Sequence, residues 1–438
     1  MERWVNLAEK LRISYWFVPL TLALVGMALA WLALRADVAL QPPTTPGGWA
    51  AYLYHGKPVE ARDTLTMLFG TMTGMTSLVF TITLIVLTLV SGQFGPRMIR
   101  SFIGSPLSQV VLGTFILTSV YTLLTRAVVG AGPDEALPYP SVSLGIGLAL
   151  VCLVLLIFYL HALATSIVAE TVIEQIGQEL DGLVAKLPML PKPQPEPVKT
   201  ALPPDDDLPE RRLGLGRGGY VQTLGYERLA AEAMRAGATI RLTFQPGDFV
   251  VADDKVLSIT PAEAVTPRLE QALRDTIRLG AHRTPKQDLT FCIRQLADMA
   301  VRALSPGVND AYTASAVVNR LSQSLCRLLE RQLPGGRYGQ AEGRWHLQGP
   351  APTFGQALSV AFDQIRQLGC DKPLLVKHLL SALKRLAQHA QLPDQKEAIA
   401  THLQAVEDAA RHAAWLPYDQ AQLEAQLADA KEEIKVEN

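Results

Sequence analysis

Four long apolar runs, all within residues 1–165, limit what this chain can fold into more than any other feature. A helix needs roughly 20 apolar residues to cross the hydrocarbon core of a bilayer. The runs lie at about 14–34, 64–91, 108–129 and 142–165. The fold class expected is therefore a multi-pass α-helical membrane protein with four transmembrane helices. The charged, helix-patterned remainder reads as a C-terminal cytoplasmic α+β domain, mostly helical. The first run contains Ala28-Leu29-Ala30, a nominal cleavage pattern, but its apolar part is too long for a signal-peptide core. It is read as an uncleaved span.

Composition removes several alternatives. The net charge of −1 over 438 residues excludes a nucleic-acid binder driven by bulk positive charge. Cys152, Cys292, Cys326 and Cys370 form no C-x-x-C pair, so neither zinc spacing nor a disulfide framework is present. No metal or cofactor is expected, and reduced thiols fit a cytoplasmic second half.

Basic residues set the expected orientation. Arg3, Lys10 and Arg12 precede span one, Arg97 and Arg100 sit between spans two and three, and Lys186 follows span four. The connection at about 130–141 has no Lys or Arg and holds Asp134 and Glu135. Arg35, Lys57 and Arg62 in the first connection dilute the signal. The balance puts both termini inside, in a cell inner (cytoplasmic) membrane.

The second span carries the most distinctive pattern. From Thr64 to Ser91 it would extend about 42 Å at 1.5 Å per residue, longer than a hydrocarbon core of roughly 30 Å. At 100° per residue, Thr66, Gly70, Thr73, Ser77, Thr81, Thr88 and Ser91 fall within about 80° of one another. Only Leu84 interrupts that face, and Gly70 and Gly74 form a G-x-x-x-G pair. Small and hydroxyl residues fit close helix packing. They equally fit a hydroxyl-lined water or ion path at an oligomer axis. Gly95-Pro96 should stop the helix, with Arg97 at the headgroups.

Charge is nearly absent inside the spans. Arg126 lies near the outer end of span three and His161 near the inner end of span four. No Asp or Glu falls at mid-membrane, which argues against a proton-coupled transporter or a voltage sensor. A passive pore needs only hydroxyls and carbonyls.

Residues 166–219 read as an amphipathic helix and a proline-rich linker holding Asp205-Asp206-Asp207. The linker ends in Gly214-Leu215-Gly216-Arg217-Gly218-Gly219. That matches G-x-G-x-x-G formally but follows no strand and opens no helix, as a dinucleotide site requires. Residues 220–265 read as a small mixed α/β module: strand 220–224, helix 226–236, strand 239–244, and a hairpin pairing 249–251 with 256–259. Residues 266–438 read as helical, with an irregular or hairpin insert at 332–352 and a Thr353/Gln356 capping box.

The block Arg283-Thr284-Pro285-Lys286-Gln287-Asp288, followed by Arg294, Asp298 and Ser305-Pro306-Gly307-Val308-Asn309-Asp310, stands out. Its structural reading is a helix–turn–helix joint capped by Asn309 or Asp310. Its functional reading is a polar face of Arg283, Gln287, Asp288, Arg294 and Asp298 that binds a small ligand or a neighbouring subunit. With the four apolar runs, Gln93-Phe94-Gly95-Pro96-Arg97 and Pro246-Gly247-Asp248-Phe249-Val250, it resembles the bacterial domain-of-unknown-function 2254 family of predicted membrane proteins. The family pattern has proline after Asn-Asp, where this chain has Ala311. The resemblance implies a multi-pass inner-membrane protein and no established reaction.

No Walker A, H-E-x-x-H or G-x-S-x-G motif occurs, and no enzyme activity is expected. The expectation is an oligomeric inner-membrane protein acting as a passive ion channel or pore. The alternative is a membrane-anchored sensor or scaffold whose cytoplasmic domain binds a ligand or protein partner. Expected partners are the lipid bilayer and further copies of the chain, with no nucleic acid.

Overall fold

The computed structural model describes residues 16–39, 54, 57, 58–94, 106–129, 139–166, 168–190, 209–341 and 344–435. The chain forms two compact units, 1–168 and 169–438.

Among its described residues the first unit holds four helices long and apolar enough to cross a membrane: α1 (Phe17–Ala39), α2 (Pro58–Phe94), α3 (Pro106–Val128) and α4 (Tyr139–Ser166). Each begins or ends within a few residues of its sequence expectation except α2, which has 37 residues and starts six earlier. Glu60, Arg62 and Asp63 break the apolar pattern at its start, yet the helix runs through them. The Gly95-Pro96-Arg97 stop lies outside the described residues. The centre of the unit is α3: half of its apolar stretch is buried, against 17% in α1 and α2. It packs against each of the other three spans. Two glycines permit its closest approach. A Cβ on Gly26 would lie 2.7 Å from the Leu117 carbonyl oxygen, and one on Gly113 would lie 2.4 Å from Leu22 Cδ1. Asp37, near the end of α1, accepts from the Ser141 amide at 3.2 Å and from its hydroxyl, capping the first turn of α4. The Tyr121 hydroxyl donates to the Ser141 carbonyl at 2.7 Å.

The second unit opens with α5 (Ala169–Ala185), whose buried face is Val172, Ile173, Ile176, Gly177, Leu180 and Val184. Strands β1 (Arg211–Leu213), β2 (Gly219–Leu224), β3 (Thr239–Leu242), β4 (Phe249–Val250) and β5 (Leu257–Thr260) follow, with α6 (Tyr226–Arg235) after β2. Next come α7 (Pro267–Thr276), β6 (Ile277–Gly280), α8 (Leu289–Ala303), α9 (Ala311–Leu329) and the strands β7 (Arg337–Ala341) and β8 (Arg344–Gln348). Helices α10 (Phe354–Gly369), α11 (Pro373–His389), α12 (Pro393–Arg411) and α13 (Pro417–Lys435) complete it.

Five strands order as β1-β5-β3-β8-β7 and three as β4-β2-β6. Three expectations are corrected here. The segments 249–250 and 257–260 do not form a hairpin: β4 pairs with β2, and β5 pairs with β1 and β3 in the other sheet. Alternation marks a strand but not its partner. The expected all-helical region contains β6, which returns antiparallel to β2. The expected linker contains β1. The proline-rich stretch 191–208 lies outside the described residues. The 332–352 insert is a hairpin, and β8 joins the sheet parallel to β3. The Thr353/Gln356 capping box is present. Helices α11 and α12 begin with Pro373 and Pro393 at the first helical position.

Candidate functional site

Along α2 the buried positions are Ala61, Leu65, Met72, Val79, Val86 and Val90. This spacing of sevens and fours keeps one seam against the bundle. The opposite stripe, Thr66, Gly70, Thr73, Ser77, Thr81 and Thr88, is exposed at every position. Among the described residues, and leaving aside its own helical turn, nothing comes within 4 Å of a Cβ built on Gly70 or Gly74. Among the described residues of one chain, close packing through small residues in this unit occurs at Gly26 and Gly113 and not at the G-x-x-x-G pair. The stripe's hydroxyls bond to their own helix. Thr66 donates to the Arg62 carbonyl at 2.6 Å, Thr73 to Phe69 at 2.8 Å, Thr81 to Ser77 at 2.9 Å and Thr88 to Ile85 at 2.7 Å. Midway, Thr73 and Ser77 border an open groove of about 700 Å³ with Trp16, Leu20, Phe80 and Ile116.

In the second unit, Arg283, Gln287 and Asp288 come together ahead of α8. Asp288 is 3% exposed and caps α8, accepting from the Phe291 amide at 3.1 Å and the Thr290 hydroxyl at 2.8 Å. Arg283 donates to it through Nε at 2.7 Å and NH2 at 2.6 Å. Gln287 accepts from the Leu224 amide at 2.8 Å and donates to its carbonyl at 3.1 Å, which ties the block to the end of β2. The Pro246-Gly247 turn abuts the same place. Gly247 has φ +96°, and a Cβ there would sit 2.3 Å from Asp288 Oδ2. Two motifs distant in sequence are thus one structure.

The remaining candidates do not join them. Arg294 is exposed and Asp298 half-buried further along α8, while Gln295 between them is buried. Asn309 and Asp310 lie beyond the far end of α8, which spans about 22 Å at 1.5 Å per residue. Asn309 adopts φ +50°, and Asp310 caps α9 through the Thr313 amide at 3.0 Å. The Thr313 side chain and backbone hold the Asp310 carboxyl below its ordinary range. The expected single polar face is therefore two separate helix caps joined by a helix.

A cavity of about 280 Å³ adjoins the first cap. Gln287, Asp288 and Thr290 face it, together with Leu183 in the last turn of α5, Lys186 just after that helix and Tyr338 on β7.

A Ser-His-Asp constellation also occurs. Ser359 Oγ lies 3.2 Å from His402 Nε2, and His402 Nδ1 lies 3.6 Å from Asp363. Ser359 sits inside α10, where helix bonds consume the neighbouring amides, so an oxyanion would find no backbone donors. The group is a polar joint between α10 and α12. Burial pushes Cys292 up to about 12, which keeps that thiol protonated.

Burial lowers the pKa of His402, and likewise of His378, from the ordinary value. In the unfolded chain these imidazoles take up protons near pH 6.5, whereas in the folded chain they resist until lower pH. Unfolded protein thus binds more protons, and stability falls as pH drops through about 6.5. The Tm of purified protein should decline from about pH 7 to about pH 5, and His402→Gln should flatten the decline. An unchanged slope in that variant would count against His402 as its source.

One organising group escaped the sequence reading. Arg320, 6% exposed on α9, donates to Glu174 at 2.9 Å, Asp181 at 2.7 Å and Ser324 at 2.8 Å. It lies over Gly177, where a Cβ would fall 2.1 Å from its Nε. The available signal was an acid–glycine–acid stripe on α5 at 174, 177 and 181, opposite a cation inside an apolar helix face.

Four helices long and apolar enough to cross a membrane are joined in sequence to a mixed sheet-and-bundle unit, the pattern of a helical membrane protein with a large attached domain. The chain belongs to the family described as "Predicted membrane protein (DUF2254)", whose model matches residues 12–385. It is similar to Uncharacterized protein Mb1321c of Mycobacterium bovis and Uncharacterized protein Rv1290c of Mycobacterium tuberculosis. Each is 32% identical over 367 residues, covering 82% of this chain and 70% of the relative. No solved structure matches.

Proposed function

We propose that the chain self-assembles in the cell inner membrane through the exposed stripe of α2, and that the assembly is a passive ion channel or pore. In this reading both termini and the second unit are cytoplasmic, and the second unit assembles or regulates the path. The observation that carries the proposal is the stripe itself. Thr66, Gly70, Thr73, Ser77, Thr81 and Thr88 are exposed along α2, and Thr73 and Ser77 border an open groove beside α1 and α3. Self-association would bury this small-residue face and surround an axis with oxygen atoms rather than hydrocarbon.

The test is reconstitution of the full chain in liposomes, with native mass spectrometry of the same preparation. Oligomers and an ion flux that Thr73→Leu/Ser77→Leu reduces at least about tenfold are expected. Strictly monomeric protein with no flux under voltage, tension or pH steps would end the proposal.

The 280 Å³ cavity beside Asp288 favours a second reading, that of a membrane-anchored sensor whose cytoplasmic domain binds a ligand.

A further inference from the structure

We infer that one end of the helical bundle in the second unit docks on the bilayer surface, with the joints between its helices set into the headgroup layer. The inference rests on α4 crossing a membrane and is independent of any path for ions.

Side-chain pairs fix the direction of each helix. Gly177 on α5 faces Arg320 on α9, and just past α5 the Leu187 carbonyl accepts from Arg331 at 3.0 Å. Helices α5 and α9 thus run parallel at a near-constant offset, which puts Ala169, the first residue of α5, level with the start of α9. On α11, His378 lies 3.3 Å from Asn319 and Arg385 donates to Ser322 at 2.9 Å, so α11 runs with α9. Lys377 meets Gln422, and Lys384 donates to Asp429 at 2.7 Å, so α13 runs with α11. Helices α5, α9, α11 and α13 therefore start at one end. Helices α8, α10 and α12 finish there. A Cβ on Gly369, the last residue of α10, would lie 3.3 Å from Leu304 at the end of α8. One on Gly355 would lie 3.4 Å from Ala398, and Ser359 lies 3.2 Å from His402, so α12 runs with α10.

The joints α8–α9, α10–α11 and α12–α13 consequently share the end at which α5 begins. Large apolar side chains stand open on or beside each of them. Tyr312 is 79% exposed, Tyr418 74% and Leu416 71%, and Val308 and Leu368 are exposed as well. No local reasoning groups these residues, because they come from three joints spread over more than a hundred positions.

Connectivity says what lies opposite. Ala169 follows Ser166, the last residue of α4, by three positions, a reach of at most about 11 Å. Whatever angle the two units take, Ala169 stays at the membrane surface, and the joints level with it are within reach of the headgroups. Met189 is also exposed, but it lies past the other end of α5, about 25 Å along that helix at 1.5 Å per residue. Tyrosine beside leucine and valine suits the zone where headgroups meet acyl chains: ring and aliphatic chain enter, and the hydroxyl stays wet. The Ser305–Asp310 joint then has a second use. Asp310 holds the turn as the cap of α9 while Val308 and Tyr312, on either side of it, take the lipid.

The test uses the full chain in liposomes of phosphatidylethanolamine and phosphatidylglycerol, with a photoreactive diazirine side chain in place of one residue per preparation. Val308, Tyr312 and Tyr418 probe the joints. Leu150, exposed on α4, is the lipid-facing reference, and Gln391, between α11 and α12 at the opposite end of the bundle, is the water-facing one. Mass spectrometry after illumination counts lipid and peptide adducts. Lipid adducts at the three joint positions should approach those at Leu150 and exceed those at Gln391 at least about tenfold. Abundant lipid adducts at Leu150 with no more at the joints than at Gln391 would overturn the docking and leave α4 as a span. Adducts at the joints mainly to a second copy would also overturn it, and would assign this end to an interface between copies. An absence of lipid adducts at Leu150 would remove the crossing of α4 and the inference with it.

Discussion

Arg320→Met is expected to destabilise the second unit by about 2–4 kcal/mol, more than most single substitutions in the chain. The guanidinium is buried and satisfies three partners on two helices, so its removal leaves Asp181 and Ser324 without the donor they were folded around. Arg327, 2.8 Å from the same Asp181 oxygen, retains part of the compensation, which keeps the loss below that of a fully orphaned buried charge. Adding Asp181→Leu should recover part of the loss, because an apolar pair replaces a stranded carboxylate. Gly177→Leu should act in the same direction by pushing the guanidinium aside. Denaturant unfolding followed by far-ultraviolet circular dichroism measures all three. Losses below about 0.5 kcal/mol would show that α5 is not held by this clamp. Because α5 follows α4 directly in sequence, loosening it also tests whether the second unit influences any ion flux.

Gly113→Leu is the second large effect. Its Cβ would fall 2.4 Å from Leu22 Cδ1 and 3.3 Å from Pro19 Cα, so α1 and α3 must separate. Overpacking of this kind costs about 1–3 kcal/mol or more, and backbone on one side leaves little room to relax. Gly26→Leu meets the Leu117 carbonyl and should behave alike. Gly70→Leu supplies the contrast. No described residue of the chain opposes it, so the fold should survive while any assembly through the α2 stripe is lost. Size-exclusion chromatography with thermal aggregation separates these results. Equal tolerance of Gly113→Leu and Gly70→Leu would contradict the packing described here.

The four spans were legible because length and apolarity alone define them. What was not legible depended on distant partners. The strand at 257–260 shows its alternation plainly, yet whether it pairs with 249–250 or with 239–242 is decided by packing. Gln287 reads as one more polar residue until Leu224, 63 positions away, is brought to it. Arg283 and Asp288, five apart and joined through a cap, were within reach of local reasoning. Arg294 and Asp298 were grouped with them by periodicity, which registers a helix face but not how far along the helix a residue sits.

The threonines of α2 turn their hydrogens back onto the carbonyls one turn behind. What they hold outward is lone pairs. A lumen walled in this way could replace part of the water around sodium or potassium and would offer chloride almost nothing. Current through it should therefore reverse at the equilibrium potential of the monovalent cation, whatever the halide on either side.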